Sequence, residues 1–392
     1  MSQQQINRNN DLKQLQDGGY EVAIKSGHLV LYNVPYVNGQ KEVKRGTLIS
    51  ILEVNGDDTI PPTNHVAFFA GEHPCDKDGN KLRHIEHTSN SQQLGEGLVA
   101  DHSFSSKPKE GYRDYYHKMT TYADMISRHA RAIDPMAKAQ TYIAVETEDD
   151  ESVFNYNDSA STRAGIAAIT DKLALRKVGI IGLGGSGSYV LDLIAKTPIQ
   201  EIHLFDGDDF LQHNAFRSPG APTLGQIRER QKKVDYMVEQ YAPMRKNIIP
   251  NPVHIDEGNI DLLDGMNFVF VCIDSGEAKR PIVEKLEADD IPFVDVGMGI
   301  EIVEGKLLGI VRVTTNTPEK RDHFRNHVGF TGGDGDEAYS KNIQIADLNA
   351  LNATLAAIKW KKIFGFYADF DNEHSSNYTI DGNIITNTDK IS

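Results

Sequence analysis

The sequence predicts an α/β chain. Its main part is a mostly parallel sheet with an antiparallel C-terminal extension, and a separate, mostly β, α+β domain precedes it. Three observations carry this. Between Lys177 and Asp206 the chain runs through an apolar strand (178–181), the cluster Gly182-Leu183-Gly184-Gly185-Ser186-Gly187, a helical stretch (188–195) and a second strand (201–205). Strand, glycine turn, helix, strand and terminal acid make a Rossmann-like nucleotide-binding unit. Phe268 to Ile273 reads FVFVCI, the apolar run of a strand buried on both faces in a parallel sheet. Residues 20–70, by contrast, break into short β-like segments around Ser26-Gly27 and Pro61-Pro62.

The chain has 392 residues, room for two or three domains. With 39% hydrophobic and 25% charged residues it has a globular composition. A net charge of −15 argues against nucleic acid as a partner. Two cysteines, Cys75 and Cys272, leave no room for a disulfide framework or paired CxxC zinc sites. That usage suits a cytoplasmic protein. No apolar run approaches membrane-spanning length, and MSQQQINRNNDLKQ contains no signal-peptide core.

Residues 1–150 form the expected first domain. An amide-rich lead-in is followed by strands at 20–24, 28–32, 46–52 and 65–70. Residues 71–109 read as loop-rich. They hold most of the densest histidine region, His73, His84, His87 and His102 (with His117 just beyond), without the HxH or HxxxH spacing of a metal site. Cys75, in GEHPCDKDGNK, reads as an exposed thiol whose pKa His73 and Lys77 could lower, or as a plain cysteine. Met119, Tyr122, Ala123 and Ile126 place a helix over 115–131. The acidic run 146–151 reads as the linker.

Residues 151–392 form the expected second domain. A helical lead (153–176) enters the glycine unit. Then come a polar loop (207–226), a helix (229–241), strands at 248–255, 268–273 and 292–296, and a helix at 276–287. Hairpin strands flank Glu304-Gly305, and 316–336 is a charged, glycine-rich loop. Ile345, Leu348, Leu351, Leu355 and Ile358 mark a long helix over 342–364 as core or dimer surface, and a last hairpin covers 377–386.

The ends of strands in an open parallel sheet are where ligands bind. Asp206 ends the second strand, Asn214 and Arg217 lie in the following loop, Lys232 and Lys233 open a helix, and Asp274 follows FVFVCI. Glycine turns bring backbone N–H groups onto a phosphate. Cations beside such a cradle suit a triphosphate, and a strand-end carboxylate can hold Mg²⁺. Asp274 could equally cap the helix after it. Asp208 and Asp209 read as solvated loop acids, and Cys272 as core.

These residues, GIIGLGGSG…LFDGDDFLQHNAFR…KKV…VCIDSGEAKR, resemble the ThiF/MoeB family, which includes the core of ubiquitin-activating enzymes, over roughly 155–365. The resemblance implies ATP and Mg²⁺ as cofactors and adenylation of the C-terminal glycine of a ubiquitin-like or sulfur-carrier protein, with a conjugating enzyme as a possible further partner. It implies that Gly182, Gly184, Gly185 and Gly187 line the phosphate turn and that Asp206 holds the ribose. Asn214 and Arg217 would contact phosphates, and Lys233, or Lys232, the triphosphate. Asp274 would be the Mg²⁺-linked acid. Arg163, in STRAGI, resembles the family arginine that reaches into a partner subunit's site, which implies a homodimer. Three departures stand out: no CxxC pairs, extra residues in GQIRERQKKV, and no cysteine in the loop 316–336, so the resemblance supports adenylation without thioester transfer by this core. The first domain is similar to domains joined to such cores in bacterial ubiquitin-like operons. Two other readings stay open: an NAD-dependent oxidoreductase built on the same turn, and an inactive nucleotide-binding scaffold.

Overall fold

The structure, a computed structural model, describes residues 2–56, 58–143, 152–156, 158, 160–161, 164, 166–330 and 343–391. The acidic run 146–151, read as a linker, lies outside them. Two compact units are present. One comprises Met1–Ser152 with Tyr156–Ala167, the other Val153–Asn155 with Ala168–Ser392.

The first unit begins with helices α1 (Ser2–Arg8) and α2 (Asn10–Asp17). Strands β1 (Glu21–Lys25), β2 (His28–Val37) and β3 (Val43–Ile51) follow, then a small hairpin of β4 (Val54–Asn55) and β5 (Asp58–Thr59). After them come β6 (Val66–Ala70), β7 (Glu86–Thr88), the hairpin β8 (Gln92–Gly95) and β9 (Leu98–Ala100), and β10 (His102–Ser105). Six strands pair antiparallel in the order β1-β2-β3-β6-β10-β7. The region 71–109 is thus not simply loop. Its strands are too short and too polar to show an alternation. Helix α3 (Tyr115–Ile133) is capped by Asp114, whose carboxylate accepts from the His117 amide at 2.7 Å. Its Tyr115, Met119, Tyr122 and Ile126 pack on Leu29, Leu31, Leu48, Phe69 and Phe104. On the opposite face of β2, Val30 packs with Ile49, Leu98 and Ala100, so this sheet is covered on both sides.

Lys118 on α3 is 1% exposed, and its ammonium donates to Ser50 Oγ at 2.8 Å and to the Asn64 carbonyl at 2.7 Å. Burial pulls its pKa down to about 8. Between about 8 and 10.4 the unfolded chain, with an ordinary lysine, holds more protons than the folded one. Stability should therefore rise with pH between about 8 and 10, by up to about 1.4 kcal/mol per pH unit. We expect the urea midpoint of the full chain to climb from pH 7 to 9.5, and the climb to shrink in Lys118→Met. Equal slopes in the two proteins would show that Lys118 is not the cause.

The second unit is built on an eight-stranded sheet. Its strands are β11 (Lys177–Ile181), β12 (Glu201–Phe205), β13 (Ile248–Asn251), β14 (Phe268–Val271), β15 (Phe293–Val303), β16 (Lys306–Asn316), β17 (Ser375–Thr379) and β18 (Ile384–Thr388). Their order is β13-β12-β11-β14-β15-β16-β17-β18. The first five run parallel, and β16 to β18 extend the sheet antiparallel. The longer helices are α4 (Gly185–Ile194), α5 (Lys233–Tyr241), α6 (Gly276–Ala288) and α7 (Ala346–Ile363). Alternate residues of the central strands face opposite layers. Val178, Ile180, Phe268 and Phe270 pack with Leu191 of α4, Met237 of α5 and Trp360 of α7. Ile181, Val269 and Val271 pack with Ile282, Val283 and Leu286 of α6. Helices on both faces of a parallel sheet are the doubly wound arrangement.

Several boundaries differ from the sequence reading. Helix α4 starts inside the glycine cluster, because glycine accepts helical angles there. The helix expected over 229–241 is interrupted after Glu229 by Arg230 in a left-handed conformation, φ 51°. The long lead over 153–176 is, among the described residues, a set of short pieces, with Phe154 bridging to Arg245. Asn342 lies outside the described residues, and α7 starts at Ala346. The buried stripe of α7 is also rotated from the expected one. Ala353, Ala356 and Trp360 are buried while Ile358 is 38% exposed, since small alanines let α7 press closely on α4. Arg245, 2% exposed, donates to the carbonyls of Ala195, Thr197 and Ile199 and so fixes the chain leaving α4. No described helix is long and apolar enough to cross a membrane.

Candidate active site

A cleft of about 320 Å³ opens at the carboxyl ends of β11 and β14. The chain leaves β11 towards β12 on one side and leaves β14 towards β15 on the other. This is the switch point where open α/β sheets bind ligands.

The glycines divide the work of the turn. Gly182 has φ +87°, a left-handed conformation, and a Cβ there would meet the Cys272 carbonyl at 2.7 Å. Gly187 lies behind the cleft wall, where a Cβ would fall 1.9 Å from the Gly182 oxygen; it lets α4 sit against the turn. A Cβ on Gly185 would fall 1.9 Å from Asn349 Nδ2, so that glycine lets α7 dock. Gly182, Gly184 and Gly185 line the cleft. The first N–H groups of α4 have no partners within the helix, an arrangement that suits an anion.

Asp206, 5% exposed at the end of β12, clamps this turn. Its Oδ2 accepts from the Leu183 amide at 2.6 Å and its Oδ1 from the Asp208 amide at 2.9 Å. Lys233, 6% exposed, ties Asp206 (3.3 Å) to Asp208 (2.6 Å). The hydrogen bond from Lys233 holds the Asp208 carboxyl below its usual range. Asp208 is therefore not a merely solvated acid: it lines the cleft and is half of a bridged pair. Asp209 pairs with Lys232 at 2.8 Å. Lys232 sits at the N-cap position of α5 without a side-chain cap, and its ammonium donates to the Gly207 carbonyl at 2.9 Å rather than lining the cleft. Of the two lysines only Lys233 lines it. Helix geometry explains this, since neighbouring residues at a helix start point about 100° apart.

Asn214, 3% exposed, is a loop-shaping residue. Its Oδ1 accepts from the Leu211 amide at 2.9 Å, and it is not among the residues lining the cleft. Arg217 does line it, and its Nε is buried without a hydrogen-bond partner among the described residues. Asp274 is exposed to the cleft just after β14. It is not the cap of α6; Ser275 is, accepting from the Ala278 amide at 3.4 Å. Arg163 lies outside the described residues.

The sequence reading missed the contribution of α7 and its approach. Gln344, Asn349 and Asn352 line the cleft. Asn349, 1% exposed, accepts from Ser186 Oγ at 3.2 Å and donates to the Arg217 carbonyl at 3.3 Å. It thereby joins the glycine turn to the loop bearing Arg217. Asn352, also 1% exposed, donates to the Gly297 carbonyl at 3.1 Å. The one available signal was two asparagines three apart in an otherwise small or apolar buried helix. His254, 3.5 Å from Asp208, lines the cleft as well, and nothing in its local sequence announced it.

The two thiols sit in different settings. Cys75 is 1% exposed, not exposed as its turn-like setting had suggested. Its Sγ donates to the His73 carbonyl at 3.3 Å, and burial pushes its pKa up. Cys272, expected in the core, is instead half-buried and lines the cleft just after β14, where burial pushes its thiol up.

The donor set fits ATP·Mg. A helix N-terminus and an unpartnered buried guanidinium nitrogen suit phosphate oxygens. A cleft-facing carboxylate, Asp274, suits a hard cation shared with those oxygens. Ile181, Phe205, Ile255 and Ile273 supply an apolar floor.

Residues 10–159 match the profile of a domain of unknown function (DUF6791). The chain is 23% identical over 159 residues to ubiquitin-like modifier-activating enzyme 5 of Culex quinquefasciatus, covering 38% of this chain and 40% of that protein. The same enzyme of Aedes aegypti is 22% identical over 159 residues, with the same coverage. The chain thus spans about two fifths of the length of these curated relatives. Solved structures similar to it include E. coli MccB with AMPCPP and MccA (TM-score 0.47, 18% identity, 59% of this chain and 69% of that one). E. coli MccB with ATP has a TM-score of 0.45 at 18% identity, again over 59% and 69% of the two chains. The ThiF family profile matches residues 156–381, more than half of the sequence, and the chain belongs to the ThiF family.

Proposed function

We propose that the second unit binds ATP·Mg and adenylates the C-terminal carboxylate of a ubiquitin-like or sulfur-carrier protein, giving an acyl-AMP and pyrophosphate. ThiF-family membership supports adenylation chemistry in general. The observation that carries the reading is the meeting of the α4 N-terminus, Arg217 and Asp274 at one sheet edge.

A carboxylate is a poor electrophile because its leaving group would be oxide. Attack by its oxygen on the α-phosphorus forms a C(O)O–P bond and breaks the bond to the bridging oxygen of pyrophosphate. The acid then carries AMP as leaving group. The step asks for positioning and charge stabilisation, with no protein nucleophile. The Gly185 amide and its neighbours would hold phosphate oxygens, and Arg217 would meet the charge that grows on departing pyrophosphate. Asp206, clamped by Leu183 and Lys233, would hold the ribose. Asp274 would hold Mg²⁺, which would neutralise phosphate charge. The raised Cys75 and Cys272 thiols agree with a reaction that ends at the acyl-AMP.

Calorimetry tests the reading: ATP·Mg should bind and NAD should give no heat. NAD binding with ATP silent would replace it with the oxidoreductase reading. A homodimer is part of the proposal, with Arg163 acting in the partner's site. Light scattering showing a monomer at micromolar concentration would count against that part.

A further inference from the structure

Gln344 lies in the stretch 343–345 that leads into α7, and its carboxamide reaches two groups in the cleft. Oε1 accepts from the Gly185 N–H at 3.3 Å, at the first residue of α4. Nε2 donates to Asp274 Oδ2 at 3.3 Å. Both contacts are at the long end of hydrogen bonding and are individually weak. What matters is the pair. One end of the carboxamide is an oxygen on the phosphate-binding amide. The other is a partial positive charge on the carboxylate that would hold a cation. ATP·Mg presents the same two chemistries, a phosphate oxygen beside a divalent cation. Neither the Gly185 N–H nor Asp274 Oδ2 can serve Gln344 and the nucleotide fully at once.

We propose that Gln344 is a surrogate ligand that competes with ATP·Mg for Gly185 and Asp274. The inference rests on the reading of the cleft as an ATP·Mg site. Nucleotide entry turns the carboxamide away and releases its hold on the start of α7. The same end of that helix carries Asn349, which binds Ser186 Oγ and the Arg217 carbonyl. The element released at Gln344 is therefore the one that positions the Arg217 loop, so occupancy at the phosphate turn is reported to the cation that acts on the leaving group.

The test is calorimetry of the full chain with ATP·Mg, comparing wild type, Gln344→Ala and Gln344→Ser. Loss of two weak competing bonds should tighten binding roughly three- to tenfold in both variants. The ATP-induced rise in melting temperature should be correspondingly larger. Two variants guard against one that folds poorly. Equal affinity in all three proteins overturns the inference alone. Weaker binding in both variants also overturns it, making Gln344 an ordinary nucleotide contact. No ATP binding by any of the three overturns the ATP·Mg reading of the cleft, and the inference with it.

Discussion

Asp274→Ala should lower carboxylate-dependent ATP–pyrophosphate exchange by about 100-fold or more while leaving the melting temperature nearly unchanged. The two halves of this expectation have separate causes. Asp274 faces the cleft from the end of β14, where it would hold a divalent cation that supplies charge neutralisation to the nucleotide. In the proposed reaction alanine would remove that charge from the place where negative charge moves during attack at the α-phosphorus. The structural cost is small because Asp274 is exposed and Ser275, not Asp274, caps α6. Its hydrogen bond from Gln344, at 3.3 Å, is long. Exchange measured at saturating ATP and Mg²⁺, with circular dichroism melting on the same preparations, separates the two. Exchange retained within a few-fold of wild type would remove Asp274 from the chemistry.

Gly187→Ala should damage both fold and site. Gly187 is not in a left-handed conformation, so alanine is acceptable to the backbone and only space decides. The new Cβ would lie 1.9 Å from the Gly182 oxygen and 3.2 Å from Cys272 Cβ. The closer of these is backbone, and no rotamer relieves it. Helix α4 must shift away from the turn, which moves its N-terminal amides off the phosphate position. Overpacking of this kind costs about 3 kcal/mol, a melting temperature lower by about 6–12 °C in a unit of this size. Nucleotide affinity should fall more than about tenfold, since those amides are the proposed phosphate contacts. Gly184→Ala is the comparison. Its nearest new neighbour would be Gln344 Oε1 at 3.9 Å, so it should melt close to wild type. A Gly187→Ala variant that melts and binds as close to wild type as Gly184→Ala would show that the turn is not built on close approach.

Much of the second unit was legible because its signals are local. The stretch from Val178 to Asp206 names its strand, turn, helix and strand in consecutive residues, and FVFVCI declares a doubly covered strand by composition. Those patterns reflect backbone conformation and burial, which each short segment carries by itself. The parallel sheet, its antiparallel extension and the sheet edge bearing Asp206, Arg217, Lys233 and Asp274 all followed from them.

The short strands at 86–105 escaped because three or four polar residues cannot display a period of two. The buried stripe of α7 was misplaced because apolar size suggested leucines and isoleucines as the packed face, whereas close approach to α4 selected Ala353 and Ala356. Which of Lys232 and Lys233 enters the cleft depended on the helix start that Arg230 delays. Cys75 read as exposed because its segment is polar, yet its isolated pairing with Val37 draws it inward. Gln344 and Asn349 are far in sequence from the glycine turn, and only the packing of α7 on α4 brings their carboxamides to Gly185, Ser186 and Arg217. Sequence alone determined the elements and the acids and cations at their ends, because chain-local chemistry specifies both. The tertiary structure decided which of those groups are already bound to one another and which long-range neighbours complete the site, because those contacts exist only once distant segments pack.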